Sequence, residues 1–122
     1  MSESDLMIQN IGGVTVIDFS SATILDGTTV ESLSRKLLDI VEVQAQKKLL
    51  LNFNQVKFLS SSLLGVLIKL HKVIDANHGR VVISGLKSDL FKVFQITHMD
   101  KMFEFYEDEE PALNSFGVYT KA

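Results

Sequence analysis

Two short runs of almost unbroken apolar residues, Lys48–Phe53 (KLLLNF) and Arg80–Ser84 (RVVIS), constrain this chain more than any other feature. A strand with one wet face alternates apolar and polar residues, whereas a run without alternation needs cover on both faces. Between the runs, Leu63, Leu67, Leu70 and Ile74 recur at helical spacing, widened by Leu64, Val66 and Ile68. This predicts a helix from about Ser61 to Asn77, with Gly79 as its natural stop. Strand, helix and strand in that order imply parallel neighbours joined by a right-handed crossover.

The rest of the chain continues the pattern. Met7–Ile11 and Val14–Phe19 alternate around Gly12-Gly13, a two-residue hairpin turn. Val30, Leu33, Leu37, Ile40 and Val41 predict a helix, with Thr28 and Glu31 as a capping box. Leu90, Val93 and Phe94 predict a short helix after Ser88, and Phe103–Tyr106 a last strand. A final helix is expected over Glu107–Phe116, with acids in its first turn and Pro111 tolerated near its start. The expected class is α/β: a single domain over residues 1–122 with its core at about 7–116. Its sheet should be mixed and mostly parallel, with an N-terminal β-hairpin and about four helices packed against it.

With 122 residues, 46% of them apolar, the chain can bury roughly two-thirds of its unfolded surface, enough for a core without staples. There is no Cys, which excludes disulfides and thiolate zinc sites and agrees with a reducing compartment. Twelve Lys and Arg against fifteen Asp and Glu give a net charge of −3, the wrong sign for displacing counterions from phosphates, so no nucleic-acid partner is expected. The most apolar stretch, Leu63–Leu70, is cut by Lys69 and falls far short of the ~20 residues of a membrane span. The N-terminus, MSESDLMIQN, is acidic and polar, the reverse of a signal peptide. The expectation is a soluble, cytoplasmic protein.

No catalytic constellation stands out. His71 and His78 lie seven apart with Asp75 between them, which reads as a solvated stripe opposite the leucine face, and no metal is expected. The GxSxG, GxxxxGK[ST] and GxGxxG patterns are absent. Glu107–Glu110 suit the positive end of a helix without needing a metal. A hydrolase using Ser61 or Ser62 would need a base within hydrogen-bond reach, and the histidines lie at the far end of the helix or beyond it. The chain reads as no enzyme and as needing no cofactor.

One segment asks for more than packing. In FLSSSLLG, Phe58–Gly65, three serines stand between a buried strand and an apolar helix. One of them suffices for the N-cap. The others place free hydroxyls in the first turn, where an attached phosphate would meet unsatisfied N–H groups and the positive end of the helix dipole. Ser60, Ser61 and Ser62 are all candidates for modification on this ground.

The order of elements and three motifs resemble a known family, the STAS domains of the anti-sigma factor antagonist type. The motifs are Leu25-Asp26 before the first helix, VKFLSSSLLGVL (Val56–Leu67), which is similar to the family's D-S-S/T-G-x-G segment, and VFQITHMDKMFEFYEDEEPAL (Val93–Leu113). By this resemblance Ser61 falls on the family's phosphorylated serine, Ser62 on the hydroxyl residue after it, Asp26 on the acid flanking the loop, and Gly65 on the last glycine. Two positions depart from the pattern: Ser60 stands where the family has Asp, and Leu63 where it has Gly. Ser60 can cap the helix but carries no charge. Leu63 either packs inward or alters the partner surface.

The resemblance implies an anti-sigma factor antagonist acting by partner switching. Its partners would be an anti-sigma factor serine kinase with a histidine-kinase-like ATP site and a PP2C-like phosphatase. Phosphorylation would fall on Ser61, and the partner surface would comprise Asp26, Ser60, Ser61, Ser62, Leu63 and Gly65. The alternative is a STAS module that binds without switching, as a scaffold in a stress complex or a docking subunit on a transporter ATPase.

Overall fold

The computed structural model describes residues 6–19 and 27–119. The elements run β1 (Leu6–Ile11), β2 (Val14–Phe19), α1 (Gly27–Glu42), β3 (Lys48–Asn52), α2 (Ser61–Ala76), β4 (Arg80–Ser84), α3 (Ser88–Ile96), β5 (Glu104–Tyr106) and α4 (Glu109–Asn114). The five strands form one sheet in strictly sequential order, β1-β2-β3-β4-β5. β1 is antiparallel to β2 through a turn in which Gly12 and Gly13 both have positive φ (61° and 92°), the conformation a two-residue hairpin of this twist demands. Every other neighbour is parallel.

Sequential order has a consequence for the layers. Three right-handed crossovers stepping the same way along a sheet must leave their helices on one face. α1, α2 and α3 accordingly bury Leu33, Leu37, Leu67, Leu70 and Phe94 against Ile17, Phe19, Leu49, Leu51, Val81 and Ile83. The opposite face carries Val14, Val16, Leu50 and Val82, and it is covered by Ala112 and Leu113 of α4 with Phe116 and Val118 beyond. Leu49, Leu50 and Leu51 all have zero exposure, as the unbroken run requires. Fully burying one such side chain stabilises the fold by about 1.5–3 kcal/mol.

Arg80 fastens the C-terminal tail over that second face. Its Nε donates to Glu104 Oε2 at 2.9 Å, Nη1 donates to the Ser115 carbonyl at 3.0 Å, and Nη2 donates to Ser115 Oγ at 3.1 Å. The guanidinium lies 4.4 Å from the centre of the Phe116 ring. The hydrogen bond from Arg80 is the main reason the Glu104 carboxyl sits below the usual carboxylate range.

Four boundaries differ from the sequence reading. α1 begins at Gly27, one residue before Thr28, so Thr28 lies inside the first turn and the residue before the helix falls outside the described residues. The left-handed residue that ends α2 is His78, with φ 61°. Its N–H bonds the Asp75 carbonyl at 3.0 Å and that of Gly79 bonds the Ile74 carbonyl at 2.7 Å, a Schellman closure. The last helix is shorter than Glu107–Phe116, because Asp108 is extended (φ −137°, ψ 169°) and Gly117 turns the chain with φ 85°. A single 3₁₀ turn, Met99–Lys101, also intervenes between α3 and β5.

Gly79 is required for a reason other than turning. A Cβ there would stand 2.5 Å from Ile74 Cγ1 and 2.7 Å from the Lys47 carbonyl oxygen, whose position is fixed by the Arg80 N–H. At Gly65, inside α2, a Cβ would meet nothing within 4 Å. Gly79→Ala should therefore cost about 1–3 kcal/mol. Gly65→Ala should stabilise the free chain by about 0.5–1 kcal/mol. Urea denaturation of the two variants beside the parent checks both signs.

Candidate functional site

The end of β3 and the start of α2 are joined by a loop that is tied down at several points. The Phe53 N–H bonds the Ser84 carbonyl at 2.8 Å, and the Val56 N–H bonds the Phe53 carbonyl at 2.9 Å. Lys87 Nζ donates to the Asn54 carbonyl at 2.9 Å, and the Asn54 N–H donates to Asn52 Oδ1 at 3.0 Å. Val56 is fully buried beneath the loop, while Phe58 stays 53% exposed.

The three serines then divide their roles. Ser60 is the N-cap, with extended backbone (φ −89°, ψ 158°), and its Oγ accepts the Leu63 N–H at 3.0 Å. Ser61 and Ser62 are the first two residues of α2, and both are exposed. Backbone N–H groups at these positions have no intrahelical acceptor, so exposed hydroxyls stand beside N–H donors unpaired among the described residues, at the positive helix end. An anion carried on Ser61 or Ser62 would lie beside these donors.

The other expected site residues fall in different places. Leu63 has zero exposure and packs into the three-helix core, so its side chain presents nothing to a partner. At this departure from the family pattern the side chain packs inward. Gly65 is exposed, one turn along from Ser61 and Ser62. Asp26 lies outside the described residues. His71 stands ten residues into α2 from Ser61, about 15 Å along the axis, too far to serve as a base. It is half-buried and meets Phe103 edge-on at 5.4 Å, which places it partly under cover and not wholly in the solvated stripe expected for it.

One polar group was not visible in the sequence. Asp18, Asn52 and Ser84 are register partners at the ends of β2, β3 and β4, on the face covered by α4. Glu109, in the first turn of α4, comes to them from 57 residues beyond Asn52, whose Nδ2 donates to Glu109 Oε1 at 3.5 Å. Burial first, and the Asp18 charge second, push the Glu109 carboxyl above its ordinary range. Only the alternation that puts Asp18 on that face was readable beforehand, and α4's return across the sheet had no local signal.

Residues 5–112 match the model of the STAS domain family. Among solved structures, the chain is similar to an anti-sigma-factor antagonist (STAS) domain protein from Planctomyces limnophilus. The identity is 25% and the TM-score 0.83, over 94% of this chain and all of that one. It is similar in fold to the Bacillus cell fate determinant SpoIIAA in its phosphorylated form, at 21% identity and TM-score 0.73, over 91% of this chain and 98% of that one. It also shares its fold with a chain of the stressosome, a signal integration and transduction hub, at 16% identity and TM-score 0.71, over 91% and 96% of the two chains. No helix among the described residues is long and apolar enough to cross a membrane.

Two measurements follow from the site's own chemistry. Ser60→Ala should cost about 0.5–2 kcal/mol, the value of a lost cap, whereas Ser61→Ala and Ser62→Ala should change stability by no more than about 0.5 kcal/mol. Chemical denaturation of the three variants tests that division. Glu109 has a raised folded-state pKa, so the stability tied to its proton is present below its unfolded value and lost as pH rises through the folded one. Glu109→Gln keeps an acceptor for Asn52 and removes the charge. It should be more stable than the parent at pH 7, with the difference vanishing in acid where Glu109 is protonated in both states, as paired urea titrations would reveal.

With the fold and the match over residues 5–112 in agreement, the chain belongs to the STAS domain family.

Proposed function

We propose that the chain is an anti-sigma factor antagonist that works by partner switching and is controlled by phosphorylation of Ser61. The observation that carries this reading is the division of labour at the start of α2. Ser60 satisfies the cap and Leu63 packs the helix down, which leaves the Ser61 hydroxyl exposed at a helix N-terminus with no hydrogen-bond partner among the described residues.

The unphosphorylated chain binds an anti-sigma factor that is also a serine kinase with a histidine-kinase-like ATP site. The kinase holds ATP and its metal ion. It transfers the γ-phosphoryl group, forming a P–O bond to Ser61 Oγ and breaking the bond to the leaving ADP, while the hydroxyl proton passes to a base of the kinase. A PP2C-like phosphatase returns the serine by hydrolysis. The phosphate adds about −1.5 to −2 charge at pH 7. It is accommodated within the chain by the free N–H groups of the first turn. Ser62 and Gly65 share the contact surface with Ser61, and Asp26 joins them on the resemblance alone.

A second reading is a STAS scaffold or docking subunit that binds without switching. It is favoured by Ser60, whose oxygen completes the cap but supplies no negative charge beside the acceptor serine. The two readings separate by phosphopeptide mass spectrometry of the protein recovered from its own cells, before and after stress. Phosphate on Ser61 whose occupancy changes, loss of that signal in Ser61→Ala, and at least tenfold weaker kinase binding by Ser61→Asp are the expected results. Unmodified Ser60, Ser61 and Ser62 under all conditions would overturn switching in favour of the scaffold.

A further inference from the structure

We propose that the row of polar groups at the carboxyl ends of β2, β3 and β4 binds a short aliphatic diamine or polyamine, held by Asp18, Glu109 and Ser84. Asp18, Asn52 and Ser84 are successive register partners across the three strands. Alternation from Val16, Leu50 and Val82 puts all three side chains on the face that α4 covers, whereas α2 packs on the other. Glu109 joins the row from α4, within reach of Asn52. Both carboxylates are half-buried.

Ser84 separates this row from an ordinary acidic surface. It has zero exposure, and its Oγ is the one buried side-chain polar atom among the described residues without a hydrogen-bond partner. A buried hydroxyl left in that state is destabilising, and native structures hold few. Its neighbours across the sheet are committed elsewhere. Asn52 Oδ1 accepts the Asn54 N–H at 3.0 Å, and Asn52 Nδ2 donates to Glu109 Oε1. Tyr106, on the other side, donates its hydroxyl to Glu104 Oε1 at 3.1 Å. The contact between Asn52 and Glu109, at 3.5 Å, is at the limit of a hydrogen bond, so a stronger donor displaces it.

The charges ask for that donor to be a cation. Burial and the Asp18 charge already hold the Glu109 carboxyl above its ordinary range. Neither acid has an ion-pair partner among the described residues, where the pairs are Glu31 with Arg35 and Glu104 with Arg80. Lys87 donates to the Asn54 carbonyl instead. No group of three or more His, Asp or Glu among the described residues is arranged to hold a metal ion. An ammonium group carries three N–H donors and no acceptor, which matches two carboxylates and a hydroxyl. Two hollows flank the row and share Asn52 and Asn54. One, of about 290 Å³, is bordered by Gly85 and the acids Glu107–Glu110, and the other, of about 500 Å³, by Asp18, Phe19 and Met7. A linear diamine spans the ridge between them with one ammonium in each hollow and its methylenes along the exposed Met7 side chain.

Titration calorimetry of the whole chain with putrescine and with spermidine tests the site. Both should bind saturably at one site, spermidine more tightly. Asp18→Asn and Glu109→Gln should each weaken spermidine binding about tenfold, the loss of one charge-assisted contact. Glu31→Gln removes the same charge from α1 and should leave binding unchanged. Glu109→Gln should weaken binding while stabilising the free chain, a combination that a folding defect does not produce. Ser84→Ala should weaken binding several-fold without lowering the thermal midpoint. No binding, or an equal loss in Glu31→Gln, would reduce the row to diffuse charge and overturn the site. Magnesium ion competing with spermidine at equal concentration would assign the row to a metal and overturn the proposal. A capped lysine that binds as tightly as putrescine would assign it to a protein side chain, with the same consequence.

Discussion

Burial of Leu49, Leu50 and Leu51 on alternating sides of β3 sets the terms for the rest of the molecule, because no strand with three consecutive fully buried leucines can leave either face wet. The sequential strand order sends every crossover helix to one side, which satisfies Leu49 and Leu51 and leaves Leu50 bare. Cover for Leu50 must come from the tail after β5. α4 has only six residues and could not hold together alone in water. Ala112 and Leu113 seat it on Leu50, Val14, Val16 and Val82, and Arg80 grips Ser115 and Phe116 just beyond.

The same strand aims the site. β3 ends in a loop bonded to β4 through Phe53 and Ser84 and to the α3 side through Lys87 and Asn54, so α2 starts from a fixed point. Leu63 at its third position is locked into the core, and the cap from Ser60 reaches that residue's own N–H. Packing and capping meet at one residue. The two serines between Ser60 and Leu63, Ser61 and Ser62, are held on the first turn of α2 and stay exposed.

Legibility of the fold followed the range of the interactions. β3 and β4 announced themselves through unbroken apolar runs, the hairpin through Gly12-Gly13, and α2 through its leucine spacing, all within a few residues of sequence. What was missed depends on contacts at long range or on backbone detail. The shortening of α4, the left-handed His78 ahead of Gly79, and the 3₁₀ turn at Met99–Lys101 are settled by how the chain must turn to reach its next packing position. At the site, three serines in a row showed that a cap was present but not which of them made it. The Ser60 oxygen and the Leu63 N–H resolve that only once the helix start is fixed. Meeting across 57 residues, Asn52 and Glu109 had no local signature at all.

If Ser61 is the modified residue, as proposed, its separation from the cap has an energetic consequence. Had the modified hydroxyl also been the cap, phosphorylation would have exchanged a structural hydrogen bond for a charged one and coupled the switch to the stability of α2. Here the Leu63 N–H is bonded by Ser60 Oγ and Ser61 is not part of the core cluster, so on the proposed role a phosphate on Ser61 would displace neither. The change would then fall on surface charge at a helix end, where a charge is worth about 0.3–1 kcal/mol to the chain itself. Against a partner whose surface is complementary, the same charge acts at close quarters, and misplaced like charges cost several kcal/mol. On that reading the complex, rather than the fold, would be the sensitive element.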